Sequence, residues 1–127
     1  MSEDEELLEA ARTARERAYA PYSAYAVGAA VRCEDGSIVC GSNVENASFG
    51  LSICAERVAV YSAIASGRRR FVSLAVVGPA GSTSAPCGAC RQVLAEFAPH
   101  ARVTFATESA SATMPLGELL PAAFELP

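Results

Sequence analysis

The sequence predicts an α/β domain, a three-layer α/β/α sandwich on one mixed sheet. Three observations carry that prediction. First, 127 residues with 51% hydrophobic and 19% charged composition suit one compact domain spanning 1–127. Second, helical periods alternate with short β-branched runs in the order helix, hairpin, helix, strand, helix, strand, which builds a sheet covered by helices. Third, no apolar run approaches the roughly 18–20 residues of a membrane helix, and no repeat or linker divides the chain.

Ser2 and Glu5 have capping-box spacing, and Leu7, Leu8, Ala11, Ala14, Arg15 and Ala18 follow at helical intervals, so a helix opens the chain and ends before Pro21. Val27–Arg32 and Ile38–Asn43 flank Glu34-Asp35-Gly36-Ser37, whose Asp-Gly pair predicts a hairpin. Val44–Ser52 is loop-like. Cys54–Ser66 reads as a helix with Val58, Ile64 and Ala65 inward and Gly67 at its C-terminal cap. Phe71–Val77, apolar almost throughout and closed by Gly78-Pro79, suits a strand buried on both faces. After a loop at Gly81–Pro86 come a helix at Cys87–Phe97, a strand at Arg102–Ala106 and a short helix at Leu116–Leu120. Right-handed crossovers should join the parallel strands.

The formal charge is −4, and every basic residue is Arg. An acidic chain lacks the basic face of a nucleic-acid binder, and Arg68-Arg69-Arg70 reads as a solvated turn. The acidic start, with Glu3, Asp4, Glu5 and Glu6, is unlike a secretory signal, so a soluble cytoplasmic protein is expected. Five Cys accompany one His. An odd count without an export signal directs attention to metal or redox chemistry instead of disulfides. His100, beside Pro99, reads as a surface residue.

Cys87-Gly88-Ala89-Cys90 opens a predicted helix immediately after Pro86, and residues three apart share a helical face. Alone, a Cys-x-x-Cys is ambiguous between redox pair and metal knuckle. Cys54 opens a second helix, and helix N-termini stabilise thiolates. Three thiolates at two helix starts make a pocket for Zn²⁺, and three protein ligands mark a catalytic zinc, which keeps a position for water. Glu56, two residues after Cys54, can stand beside that water and move its proton. Three thiolates on one zinc leave a net charge of −1, and Arg57 is the candidate cation to offset it. Taken singly, each of these residues has a structural explanation: Glu56 in a helix first turn, Arg57 in solvent, the cysteines as small core residues. Jointly, Cys-x-Glu followed by Pro-Cys-x-x-Cys is the zinc-deaminase pattern in its three-cysteine form.

At this point the chain resembles the short, homotetrameric cytidine deaminases. The matching segments are PYSAYAVGAAV (Pro21–Val31), GSNVENAS (Gly41–Ser48), GLSICAERVAV (Gly50–Val60), PCGACRQVLAEF (Pro86–Phe97) and LLPAAF (Leu119–Phe124). The resemblance implies a five-stranded sheet and one zinc per chain on Cys54, Cys87 and Cys90, with Glu56 shuttling protons. Water adds at C4 of cytosine, and ammonia leaves to give uridine or deoxyuridine, a reaction of pyrimidine salvage. It further implies that Asn43 and Glu45 hold the ribose hydroxyls, a role their polar groups suit. Tyr25 would lie near the base at a position where phenylalanine is commoner, and Ala55 would offer backbone groups to the pyrimidine edge. Ala47, Phe49 and Phe124 would complete the pocket of a neighbouring subunit. Phe49 stands where many members carry tyrosine, so that hydroxyl is absent.

Two other readings compete. A blasticidin-S-type deaminase shares Cys-Ala-Glu and PCGACRQ, but Asn43-Val44-Glu45-Asn46 is the cytidine version of the sugar segment. A non-catalytic zinc module for nucleic acid would need a basic surface and a fourth ligand, for which Cys33 and Cys40 on the hairpin are available. Otherwise these two cysteines read as reduced neighbours on paired strands.

Overall fold

The computed structural model describes residues Met1–Pro127. The chain runs α1 (Glu3–Arg15), β1 (Gly28–Cys33), β2 (Ile38–Ser42), a 3₁₀ turn (Phe49–Leu51), α2 (Ala55–Ala65), β3 (Phe71–Val77), α3 (Gly88–Phe97), β4 (Arg102–Ala106), β5 (Ser111–Pro115) and α4 (Leu116–Leu119). Local chemistry explains the boundaries. The Ser2 hydroxyl accepts from the Glu5 N–H at 3.1 Å and caps α1. In the β1–β2 turn, Gly36 takes φ +90° while the Asp35 carboxylate accepts from the Ser37 N–H at 3.0 Å. Gly67, at φ +99°, ends α2 with Gly67 N–H bonded to the Ile64 carbonyl and Arg68 N–H to that of Ala63.

The sheet order is β2-β1-β3-β4-β5. β1 lies antiparallel to β2 and β3, β3 and β4 are parallel, and β5 closes the edge antiparallel to β4. α3 connects the two parallel strands. Strand alternation divides the core: Ala30, Ala75, Val77 and Ala106 pack against Leu7 and Ala11 of α1, whereas Ala29, Val31, Leu74, Val76 and Val103 face α2, α3 and α4. The sandwich is therefore three-layered, with one helix on one face and three on the other.

Three expectations need correction. α2 turns Ala55, Glu56, Ala59, Val60 and Ala63 inward, while Ala65 is exposed and Val58 only half-buried. The reason is close approach. A Cβ at Gly41 would collide with the α2 backbone at Ala55 and Ala59, so the helix rests on β2 through its smallest residues. Cys33 and Cys40 are not cross-strand neighbours. Cys40 pairs with Ala30 on the α1 face, and Cys33 lies in the core on the other face. Arg68-Arg69-Arg70 is more than a solvated turn, because Arg68 donates to Ser37 Oγ at 2.7 Å and Arg69 to the Ile64 carbonyl at 2.8 Å. These arginines tie the end of α2 to the hairpin.

β5 left no periodic trace in the residues, since four of its five positions are exposed. Its place on the sheet shows instead in the ladder to β4 and in the 2.9 Å contact between Thr104 Oγ1 and Thr113 Oγ1. No helix is long and apolar enough to cross a membrane.

Candidate active site

Cys54 is the N-cap of α2 and Cys87 the N-cap of α3, and neither side chain is spent on a capping hydrogen bond. Both helices leave their first N–H groups unpaired, so two positive helix ends meet where the sulfurs gather. Cys54 Sγ lies 3.7 Å from Cys87 Sγ, and Cys87 Sγ lies 3.5 Å from Cys90 Sγ. All three sulfurs fall within 4.8 Å of one another. Zinc–sulfur bonds of ~2.3 Å in tetrahedral geometry separate sulfurs by about 3.8 Å, so the donor set fits one zinc per chain.

Charge around the cluster is arranged to suit a thiolate. Hydrogen bonding from Cys90, reinforced by Arg57 and Cys87, holds the Cys54 thiol down at about 5. The Cys90 thiol, close to the Cys54 sulfur and buried, is pushed up. Arg57 Nη2 donates to Cys54 Sγ at 3.4 Å. Its Nε is buried without a partner, a donor left beside the sulfur cluster. Glu56 is 5% exposed, and burial pushes its carboxyl up to about 7. A carboxyl poised there can accept and return a proton near neutral pH.

These groups open onto a cavity of about 350 Å³. Tyr25, Asn43, Glu45, Cys54, Ala55, Glu56 and Cys87 line it, so seven of the residues singled out from the sequence meet at one place. Cys90 sits beneath, fully buried. Ala47, Phe49 and Phe124 lie outside this cavity, and the two phenylalanines are 72% and 70% exposed. Phe49 packs edge-on against Tyr22, and the Phe124 carbonyl accepts from Gln92 Nε2 at 3.0 Å.

The polar end of the cavity has limited free capacity. Asn43 Oδ1 accepts from the Val27 N–H at 2.9 Å, and Nδ2 donates to the Tyr25 carbonyl at 2.8 Å. One amide N–H remains. Glu45 Oε1 accepts from the N–H groups of Tyr22 and Ser23, and Oε2 accepts from Ser23 Oγ. These bonds, the Ser23 hydroxyl foremost, hold the Glu45 carboxyl below the usual carboxylate range.

Sequence reasoning missed several contributors. Ser84, buried and at φ +58°, lines the cavity with Ala85 ahead of Cys87. Arg91 donates from Nε to the Pro86 carbonyl at 2.7 Å and from Nη1 to the Leu119 carbonyl at 2.9 Å, pinning the Cys87 turn to α4. Ser23 was visible only as part of the Pro21-Tyr22-Ser23 segment.

Comparison with known proteins agrees with this geometry. The family model described as the cytidine and deoxycytidylate deaminase zinc-binding region matches residues 1–107. A cytidine deaminase of Halalkalibacterium halodurans is 46% identical over 120 residues, 93% of this chain and 91% of that protein. The crystal structure of a cytidine deaminase from Burkholderia pseudomallei superposes with a TM-score of 0.92 at 48% identity, covering 98% of this chain and 100% of the other. That from Mycobacterium tuberculosis gives 0.85 at 41% identity, over 99% and 100% of the two chains. A blasticidin-S deaminase of Bacillus cereus is more distant, 28% identical over 103 residues, 75% of this chain and 74% of that protein. The chain belongs to the cytidine and deoxycytidylate deaminase family of zinc enzymes.

Proposed function

We propose that this chain, acting as one catalytic domain over residues 1–127, hydrolyses cytidine and 2′-deoxycytidine to uridine and 2′-deoxyuridine with release of ammonia. The observation that carries the reading is the convergence of three cysteine sulfurs beside a buried glutamate, in a cavity that also presents Asn43 and Glu45. Cys54, Cys87 and Cys90 would hold the zinc, and Arg57 offsets their charge. When bound, zinc supplies the Lewis acidity that makes water a nucleophile near neutral pH. Glu56 takes one proton from the water that adds at C4 and gives it to N3 of the ring, then carries a second from the added hydroxyl to the amine, which leaves as ammonia as the C4 carbonyl forms. Tyr25 borders the base, and the unpaired N–H groups at the start of α2, Ala55 among them, are donors for the pyrimidine edge.

One N–H remains on Asn43, and one lone pair remains on Glu45 Oε2 after the Ser23 bond. One donor and one acceptor match a single sugar hydroxyl. The 3′-hydroxyl is present in both nucleosides, which supports both as substrates. Ala47, Phe49 and Phe124 do not line this cavity, and the exposure of the two phenylalanines suits the expected sharing of pockets between subunits of a homotetramer. We further propose that this reaction serves pyrimidine salvage in the cytoplasm.

The test is ammonia release from cytidine, 2′-deoxycytidine, cytosine and blasticidin S, with zinc measured on the same sample. Turnover of the two nucleosides with about one zinc per chain is expected. Preference for blasticidin S, or a metal-loaded protein that releases no ammonia, would overturn the reading. The nucleic-acid module is disfavoured because no fourth cysteine joins the cluster: Cys33 lies in the core, and Cys40 contacts α1.

A further inference from the structure

We infer that Ser23 is the positioning residue of the sugar-binding end, its hydroxyl setting the direction of Glu45 and the backbone at Tyr25 together. The inference rests on the functional reading above and concerns the same cavity.

Ser23 Oγ donates to Glu45 Oε2 and accepts from the Tyr25 N–H at 3.0 Å. The Ser23 N–H reaches Glu45 Oε1 at 3.2 Å, and the Tyr22 N–H reaches the same oxygen at 2.9 Å. Both carboxylate oxygens are thus anchored on one turn, 22 residues distant in sequence. Between Ser23 and Tyr25, Ala24 adopts φ +58°, a left-handed conformation that a non-glycine residue holds only when its surroundings fix it. The Ser23 hydroxyl, which accepts from the Tyr25 N–H across Ala24, holds this turn together with the Ala24 N–H bond to the Ala20 carbonyl at 3.0 Å.

The geometry has a consequence for selectivity. A glutamate side chain has three rotatable bonds, and a hydroxyl ligand sees a defined acceptor only when they are restrained. Each carboxylate oxygen accepts about two bonds, so Tyr22 and Ser23 N–H groups fill Oε1. The Ser23 hydroxyl occupies one site on Oε2 and leaves the other for the sugar. Loss of that hydroxyl leaves Oε1 on its two N–H donors but frees Oε2 to turn from the cavity and removes the side-chain acceptor of the Tyr25 N–H. Binding of a substrate that carries the sugar hydroxyl should suffer most. Chemistry at Glu56, on α2, should suffer little.

Steady-state kinetics on the zinc-loaded enzyme tests this with two substrates that differ only in the 3′-hydroxyl, 2′-deoxycytidine and 2′,3′-dideoxycytidine. Ser23→Ala should lower kcat/KM for 2′-deoxycytidine about tenfold, through KM, as expected for one hydrogen bond to a charged group. The loss on 2′,3′-dideoxycytidine should be at least fivefold smaller. Ser23→Thr, which retains a hydroxyl, should recover most of the lost kcat/KM. Equal losses on the two substrates, a loss confined to kcat, or wild-type behaviour of Ser23→Ala would each overturn the inference. If Ser23→Ala does not fold, the Ser23→Thr and Ser23→Gly pair decides: Thr must keep the 3′-hydroxyl preference and Gly must lose it. A wild type that releases no ammonia from 2′-deoxycytidine defeats the functional reading and this inference with it. An active wild type with equal losses defeats this inference alone.

Discussion

The Arg57 guanidinium donates to the Cys54 sulfur across 3.4 Å, from the first turn of the helix that Cys54 caps. A site with three thiolates carries more negative charge than a Lewis acid tolerates well, and this contact draws charge off one of them. Arg57→Gln should therefore lower zinc affinity or activity about 10–100-fold, the usual range for groups that orient and tune metal ligands. Competition with a chromogenic chelator reads the affinity directly, and unchanged values would remove Arg57 from this role.

Glu56 should be separable from metal binding. Glu56→Gln keeps the shape of a side chain that is 5% exposed but removes the proton acceptor. We expect kcat to fall about 10²–10⁴-fold with zinc content unchanged. Retained turnover would show that the proton travels by another group.

Removal of zinc should reach beyond activity. The three cysteines tie the starts of α2 and α3 together, so dialysis against a strong chelator should lower the melting temperature as well as abolish ammonia release. Added Zn²⁺ should restore both. Cys54→Ala should reproduce the metal-free state and should not respond to zinc.

Gly41 links the fold to the site. A side chain there meets the α2 backbone at Ala55 and Ala59, the first and fifth residues after Cys54. Gly41→Ala should cost about 1–3 kcal/mol of stability as overpacking, visible in the urea midpoint, and should reduce zinc occupancy as the start of α2 is displaced. A stable, fully loaded variant would show that β2 yields without disturbing the ligand.

Phe124 offers a test of pocket sharing. Its side chain is 70% exposed in the isolated chain and lies outside that chain's own cavity. Phe124→Ala should raise KM for cytidine or shift sedimentation toward smaller species, with zinc retained in the subunit. A fully active monomer of the unmodified chain would contradict a shared pocket.

Much of this protein was legible before any coordinates. Phe71–Val77 declared itself as a strand because a β-branched apolar run reports burial on two faces, and Arg102–Ala106 was also placed with the bounds it has in the fold. The Cys-x-Glu and Pro-Cys-x-x-Cys spacings placed ligand-type residues at helix starts, since capping chemistry is local. Where local pattern and burial parted, the reading erred. α2 was expected to turn Val58, Ile64 and Ala65 inward; Ile64 does pack on the core, yet the close approach at Gly41 seats Ala55 and Ala59 on the sheet and Ala65 is left in solvent. β5 was silent because an exposed edge strand has no buried face to mark by alternation.

By itself, then, the sequence determined which chemistry was available: three thiols, a carboxylate, an arginine and a polar sugar segment, each with its secondary structure. Only the tertiary structure decided which groups share space. Cys54 lies 33 residues from Cys87 and Ser23 lies 22 from Glu45, distances that no periodicity spans. They meet because the order β2-β1-β3-β4 and the seating of α2 on Gly41 bring helix starts and loops to one end of the sheet. Sequence patterns record the local alternation of burial, whereas proximity between distant segments arises from packing, which is why Ser23 became visible only in the folded chain.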